Sequence, residues 1–291
     1  MTETPADQNA SSQPPPDESG DEAESILFEE QHGVDDDEDD EDFSKYGDEE
    51  VGDLELDDDT DSADTDSADD ATDVPAHEHV YSCNDPAQRK RGFDEARLAL
   101  SRSALVVMPT DTVYGVAADA FDPAGVRRLL RAKGRGRSMP TPVLIGTKDT
   151  LRALAANLSS QARDLADAFW PGGLTLICRQ QPSLRWDLGD SRGTVALRMP
   201  DHRDALDLLV ANGPLAVSSA NTSGQPSATT VEEALRMLTD SVDVYLDGGP
   251  SPSASASTII DATSDELRVV RSGAVSIERL REVIPSIEPP E

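Results

Sequence analysis

Histidine, cysteine and aromatic residues are all scarce in this 291-residue chain, and each shortage removes a class of mechanism. Of the four histidines, His32, His77 and His79 fall in or beside an acidic N-terminal segment, which leaves His202 alone in the part that reads as folded. A Ser-His-Asp or Cys-His relay needs an imidazole beside its nucleophile, so neither is expected. His202, just after a Met-Pro turn at a helix start, reads as a surface or capping residue. Two cysteines, Cys83 and Cys178, have no CxxC spacing. They exclude a disulfide framework and a zinc knuckle, fit a reducing compartment and read as structural. No stretch approaches the length of a membrane span, and the N-terminus is acidic and polar where a secretory signal is basic and then apolar. A cytoplasmic protein with no membrane partner is expected.

What is abundant is acid, and nearly all of it sits at one end. Residues 1–80 hold 32 acidic residues against one basic residue, Lys45, so this leader carries −31 of the formal −33. Residues 81–291 hold 26 acidic and 24 basic residues and are nearly neutral. The leader includes the acidic run 35–42 and the repeat-like TDSADTDSADD, with few large apolar residues. Such a segment cannot bury enough surface to offset its chain entropy, so disorder is expected. It reads as a solubilising tail or as a polyanion that competes with nucleic acid for a basic groove.

From about Tyr81 onward helical and strand-like segments alternate, and residues 81–291 are long enough for one domain with a sizeable core. Asp122 caps a helix with Pro123 in its first turn and Gly134 at its stop. Ser159 caps another that ends before Trp170-Pro171-Gly172-Gly173. Thr230 with Glu233 forms a capping box, and a last helix covers 276–284. Strands are expected at 104–108, 141–145, 174–178, 194–199, 215–218, 242–246, 258–261 and 267–270. Several follow one another without room for a crossover helix, which favours a mixed α/β sheet over a doubly wound parallel one.

The chemistry gathers at strand ends. Pro109-Thr110-Asp111-Thr112-Val113-Tyr114-Gly115 follows the apolar run 104–108, and Pro109 ends its ladder. Each buried hydroxyl or carboxylate there costs about 1–3 kcal/mol if left unpaired, so the segment reads as the lining of a site. Lys133-Gly134-Arg135-Gly136-Arg137, with Arg127, Arg128 and Arg131 before it, is a flexible basic loop suited to phosphates or, equally, to dipole complementation at a helix end. Ser218-Ser219-Ala220-Asn221-Thr222-Ser223-Gly224 offers small hydroxyl and amide groups after another apolar strand. Arg198, at the end of 194–197, offers a bidentate fork for a carboxylate. Four polar strand ends in one sheet imply one shared pocket that works by alignment and charge.

From Arg97 to Ile284 these motifs, with WPGG and LTL, TVALRMP, Pro226, STIID and VVRSGA in order, resemble the YrdC/Sua5/TsaC family of threonylcarbamoyl-AMP synthases. The resemblance implies a twisted mixed sheet with a concave face. It implies that L-threonine, bicarbonate and ATP are joined into threonylcarbamoyl-AMP and pyrophosphate, for the t6A base of tRNA. On matching positions it implies threonine contacts at Thr112, Arg198, Ser219 and Ser257, and ATP contacts at Arg135, Thr194, Asn221, Thr229 and Arg271. Lys133 is placed at the phosphates, with Lys133 and Arg135 as catalytic groups. Mg2+ is expected with ATP to neutralise the leaving pyrophosphate, and a downstream threonylcarbamoyl transferase complex is the expected recipient of the product.

Gly136, Met139 and Leu144 depart from the family pattern at positions where proline, a nucleotide contact and a polar threonine contact are usual, so both ligand sites are expected to be differently lined. The chain resembles the short, single-domain form. Segment 250–256, PSPSASA, reads as a loop or as a lid over the nucleotide. The competing readings are a non-catalytic module binding tRNA or double-stranded RNA on the basic concave face, and a carbamoyl-transfer domain with another acceptor. The low aromatic content near the basic cluster argues against stacking on single-stranded bases. Asp111 and Tyr114 have no assigned role at this level.

Overall fold

A computed structural model describes residues 79–253 and 255–290; the leader, apart from its last two residues, lies outside the described residues. The described chain begins with β1 (Val80–Ser82), α1 (Pro86–Leu100), β2 (Val106–Met108), β3 (Gly115–Asp119) and α2 (Pro123–Lys133). It continues with β4 (Val143–Leu144), α3 (Lys148–Leu154), β5 (Ala155–Ala156), α4 (Ser160–Phe169), β6 (Leu174–Gln180) and β7 (Thr194–Arg198). Then come α5 (Arg203–Asn212), β8 (Leu215–Ser219), α6 (Val231–Leu238), β9 (Val244–Asp247), β10 (Thr258–Asp261), β11 (Arg268–Arg271) and α7 (Ile277–Val283).

Local chemistry accounts for most helix starts. Asp122 Oδ1 accepts from the Ala124 N–H, Pro123 occupies the first turn, and Gly134 closes α2 in the left-handed region at φ 64°. Ser159, Thr230 and Ser276 cap α4, α6 and α7 through their hydroxyls. The Glu233 carboxylate reaches back to the Thr229 N–H and hydroxyl, one residue beyond the usual capping-box partner. Helix α1 escaped the sequence reading although Asp85 caps it twice, because its buried face is made only of Gly92, Ala96, Ala99 and Leu100. Strand β3 escaped it too: Gly-Val-Ala-Ala-Asp has little strand propensity, and its burial between β2 and β8 decides its conformation.

The sheet is mixed, as expected, in the order β1-β9-β2-β3-β8-β4-β7-β6-β10-β11, with β5 beside β6. The β1–β9, β2–β9, β4–β7 and β6–β10 pairs are parallel, and β2–β3, β3–β8, β4–β8, β6–β7 and β10–β11 antiparallel. Apolar residues bury both faces. Leu129, Val116, Ala234 and Leu238 lie in one cluster, Ala96, Leu208, Leu209 and Leu215 in a second, and Leu165, Leu176, Leu197 and Ile260 in a third. Leu144 belongs to the second cluster at 5% exposure, so its side chain is core.

Candidate active site

The segment 109–115 leaves β2 and crosses to the far half of the sheet before β3 begins. Thr110 Oγ1 donates to the Val113 carbonyl at 2.6 Å and accepts from the Thr112 N–H at 3.2 Å, which folds the segment on itself. Tyr114, fully buried, takes its backbone partners from Ala228 and Ala220. Its hydroxyl donates to the Gly249 carbonyl at 2.6 Å and accepts from the Gly248 N–H at 3.1 Å. Tyr114 is thus a rivet between this segment and the 248–249 turn, and burial pushes its phenol well above the ordinary range.

At the far half stands Arg198, with 6% of its surface exposed. Its Nε donates to the Gly172 carbonyl at 3.0 Å, Nη1 to Thr112 Oγ1 at 2.9 Å and Nη2 to Asp111 Oδ1 at 2.6 Å. Thr112 also comes close to Gly173, where an added Cβ would lie 3.5 Å from Thr112 Cγ2 and 2.6 Å from Ala274 Cβ. Only glycine lets these three chain segments converge. Beside them, Ser257 Oγ hydrogen-bonds Thr175 Oγ1 at 2.8 Å, and Arg271 donates to the Ser257 carbonyl through Nη2 at 2.8 Å. Asp111, Thr112, Arg198, Ser257 and Arg271 therefore form one polar end.

The second end is built on Lys133. Its Nζ donates to the Ser219 carbonyl at 2.7 Å, to Asn221 Oδ1 at 2.8 Å and to the Asn221 carbonyl. Ser219 Oγ donates to Asn221 Oδ1 at 2.6 Å. Arg135 reaches Ser223 Oγ at 3.2 Å, and the Ser223 N–H donates to the Lys133 carbonyl. Gly115 pairs with Ser219 across β3 and β8, so segment 109–115 joins the two ends. Thr229 is held by Glu233 through its hydroxyl and lies beside Ser251, whose N–H donates to the Thr229 carbonyl at 2.8 Å. Thr194 starts β7, four residues from Arg198, and its hydroxyl donates to the Ser191 carbonyl at 2.7 Å. That loop meets the basic loop, where the Asp190 N–H donates to the Arg137 carbonyl.

The basic cluster is partly neutralised by its own fold. Arg137 pairs with Asp187 and Asp190, and Arg128 with Asp243 at 2.7 Å. Lys133, read from sequence as a phosphate contact in a flexible loop, has no exposed surface. His202 precedes α5 without a side-chain cap, its Nδ1 buried without a hydrogen-bond partner among the described residues. No group of three histidine, cysteine or acidic side chains gathers to hold a metal among the described residues. What sequence reasoning missed is Asp111, whose partner lies 87 positions away, and the rivet at Tyr114.

Burial, and after it the Arg135 charge, push the Lys133 ammonium down to about 7 from the ordinary 10.5. Between those values the unfolded chain binds the extra proton, so stability rises with pH across the window, by at most about 1.4 kcal/mol per pH unit. The thiols of the half-buried Cys83 and the buried Cys178, pushed up by desolvation to about 12 from 9.0, work in the opposite sense above pH 9.0. Urea midpoints taken from pH 7 to 9 should therefore rise for the native protein relative to Lys133→Met; parallel curves would contradict the assignment.

Residues 98–273 match the family model described as telomere recombination, that of the Sua5, YciO and YrdC proteins. The chain is 54% identical over 205 residues to a Mycobacterium leprae protein provisionally named threonylcarbamoyl-AMP synthase, covering 70% of this chain and 93% of that one. It is 36% identical over 208 residues to the threonylcarbamoyl-AMP synthase of Bacillus subtilis, covering 71% of this chain and 59% of that protein. Among solved structures, Pyrococcus abyssi Sua5 complexed with L-threonine is 34% identical with a TM-score of 0.65, over 68% of this chain and 59% of the other.

Proposed function

The chain belongs to the Sua5, YciO and YrdC family and makes threonylcarbamoyl-AMP, and we propose that a single cleft does so, with L-threonine at the Arg198 end and ATP at the Lys133 end. The observation that carries the division is the joint hold of Thr112 and Arg198 on one another at 2.9 Å, in a chain similar to a Sua5 that takes L-threonine. Arg198 supplies charge for the amino acid's carboxylate, the Thr112 and Ser257 hydroxyls at the same end frame the rest of it, and the Ser219 hydroxyl approaches from the Lys133 end. Arg135, Thr194, Asn221 and Thr229 face the nucleotide, and Arg271, which stands beside Ser257 at the Arg198 end, meets it where the two ligands join.

In the reaction, the threonine amine adds to the carbon of bicarbonate and water leaves, giving a carbamate. A carbamate oxygen then attacks the α-phosphorus of ATP, and the bond to the β-phosphate oxygen breaks to release pyrophosphate. The chain supplies alignment and positive charge for these steps. With no carboxylate cluster among the described residues, Mg2+ would enter on the triphosphate, which is where its charge is used. The labile product implies hand-over to an enzyme that modifies tRNA.

The test is pyrophosphate release from ATP with threonine and bicarbonate each present or withheld. Release only when both are present supports the synthase. Binding of tRNA with no turnover would support an RNA-binding module, and release without threonine would support transfer to another acceptor.

A further inference from the structure

Arg198 is the least exposed charged group at the threonine end, and its orientation is set by contacts that the reaction itself does not require. Three of its five N–H donors are taken by Gly172, Thr112 and Asp111. One remains on each terminal nitrogen, which is the number a carboxylate accepts as a bidentate pair. Of the three partners only Asp111 is charged, and its 2.6 Å contact is the shortest of them. The same Asp111 oxygen accepts the Asp201 N–H at 3.0 Å, in the turn between β7 and α5. A carboxylate on segment 109–115 thereby ties down both the guanidinium and the backbone three residues beyond it.

We propose that Asp111 is the positioning residue of the threonine end, holding the Arg198 guanidinium so that its two remaining donors face the amino acid's carboxylate. The proposal rests on the placement of threonine given above. Without the Asp111 charge, Arg198 keeps two neutral partners and is free to swing about its Nε–Gly172 bond. A carboxylate arriving there must then order the side chain as it binds, and that cost falls on threonine affinity alone. ATP, held at the other end, should not sense it.

Steady-state kinetics on Asp111→Asn, Asp111→Ala and Asp111→Glu test this. Asp111→Asn keeps the size of the side chain and an oxygen for the Asp201 N–H, so it isolates the charge. The expected result is a threonine KM raised about tenfold, with kcat and the ATP KM within about twofold of native. Asp111→Ala should raise the threonine KM further, and Asp111→Glu should bring it back to within about threefold of native. An unchanged threonine KM in Asp111→Asn, or equal rises for threonine and ATP, would overturn the proposal. If the native protein itself releases no threonine-dependent pyrophosphate, the synthase reading fails and this proposal fails with it, so the two failures are told apart.

Discussion

Lys133→Met should abolish efficient use of ATP and cost about 1–3 kcal/mol of stability, although methionine matches the length of the lysine stem. The ammonium, on a side chain with no exposed surface, donates to the Ser219 carbonyl and to both oxygens of Asn221. Methionine leaves the Asn221 carbonyl without a donor, at about 1–3 kcal/mol, while Asn221 Oδ1 keeps the Ser219 hydroxyl and the Ser219 carbonyl keeps the Asn221 N–H. The segment 219–223 would have to rearrange to rehydrate that carbonyl, carrying Asn221 and the Arg135 partner Ser223 away from their places. An ATP KM raised by more than about tenfold is expected, with a lower urea midpoint at pH 7. Retention of the native ATP KM would mean that Lys133 neither contacts the phosphates nor organises the segment that does.

Arg198→Ala should have the second largest effect, and it should appear mainly against threonine. Truncation removes the charge offered to the carboxylate, a charge-assisted contact worth about 1.5–3 kcal/mol, which corresponds to a fall of roughly 10- to 150-fold in kcat/KM for threonine. It also strands the charge of Asp111, whose side chain is 14% exposed, while the Thr112 hydroxyl keeps only its 3.1 Å contact with Thr110 Oγ1. Breaking a buried pair on one side typically costs about 3–5 kcal/mol, and the residual solvent access of Asp111 puts this case at the low end. Arg198→Lys should not restore activity, because an ammonium on a flexible stem cannot reach Gly172, Thr112 and Asp111 together.

The parts of the fold that were legible in the sequence are those governed by neighbouring residues. Asp122, Pro123 and Gly134 announce α2 because capping is decided within one turn, and the apolar runs before Pro109 and Ser219 announce strands because both of their faces are covered. Polar residues at those strand ends mark the proposed cleft for the same local reason. What was not legible depends on distant chain. Nothing near Asp111 predicts that Arg198 faces it, and a lysine at the end of an amphipathic helix gives no sign that its ammonium will be sealed beneath Ser219 and Asn221. At Leu144, expected from the resemblance to alter the lining of the threonine site, only the pairing of β4 between β7 and β8 shows the side chain in the core.

The leading claim is that one cleft has a threonine end and an ATP end joined by segment 109–115. The most direct test is the pair of apparent KM values, for threonine and for ATP, measured side by side in Arg198→Ala and Arg135→Ala. A crossed pattern is predicted, with Arg198→Ala chiefly raising the threonine KM and Arg135→Ala chiefly raising the ATP KM. The reverse pattern, or equal rises of both values in both variants, would contradict it.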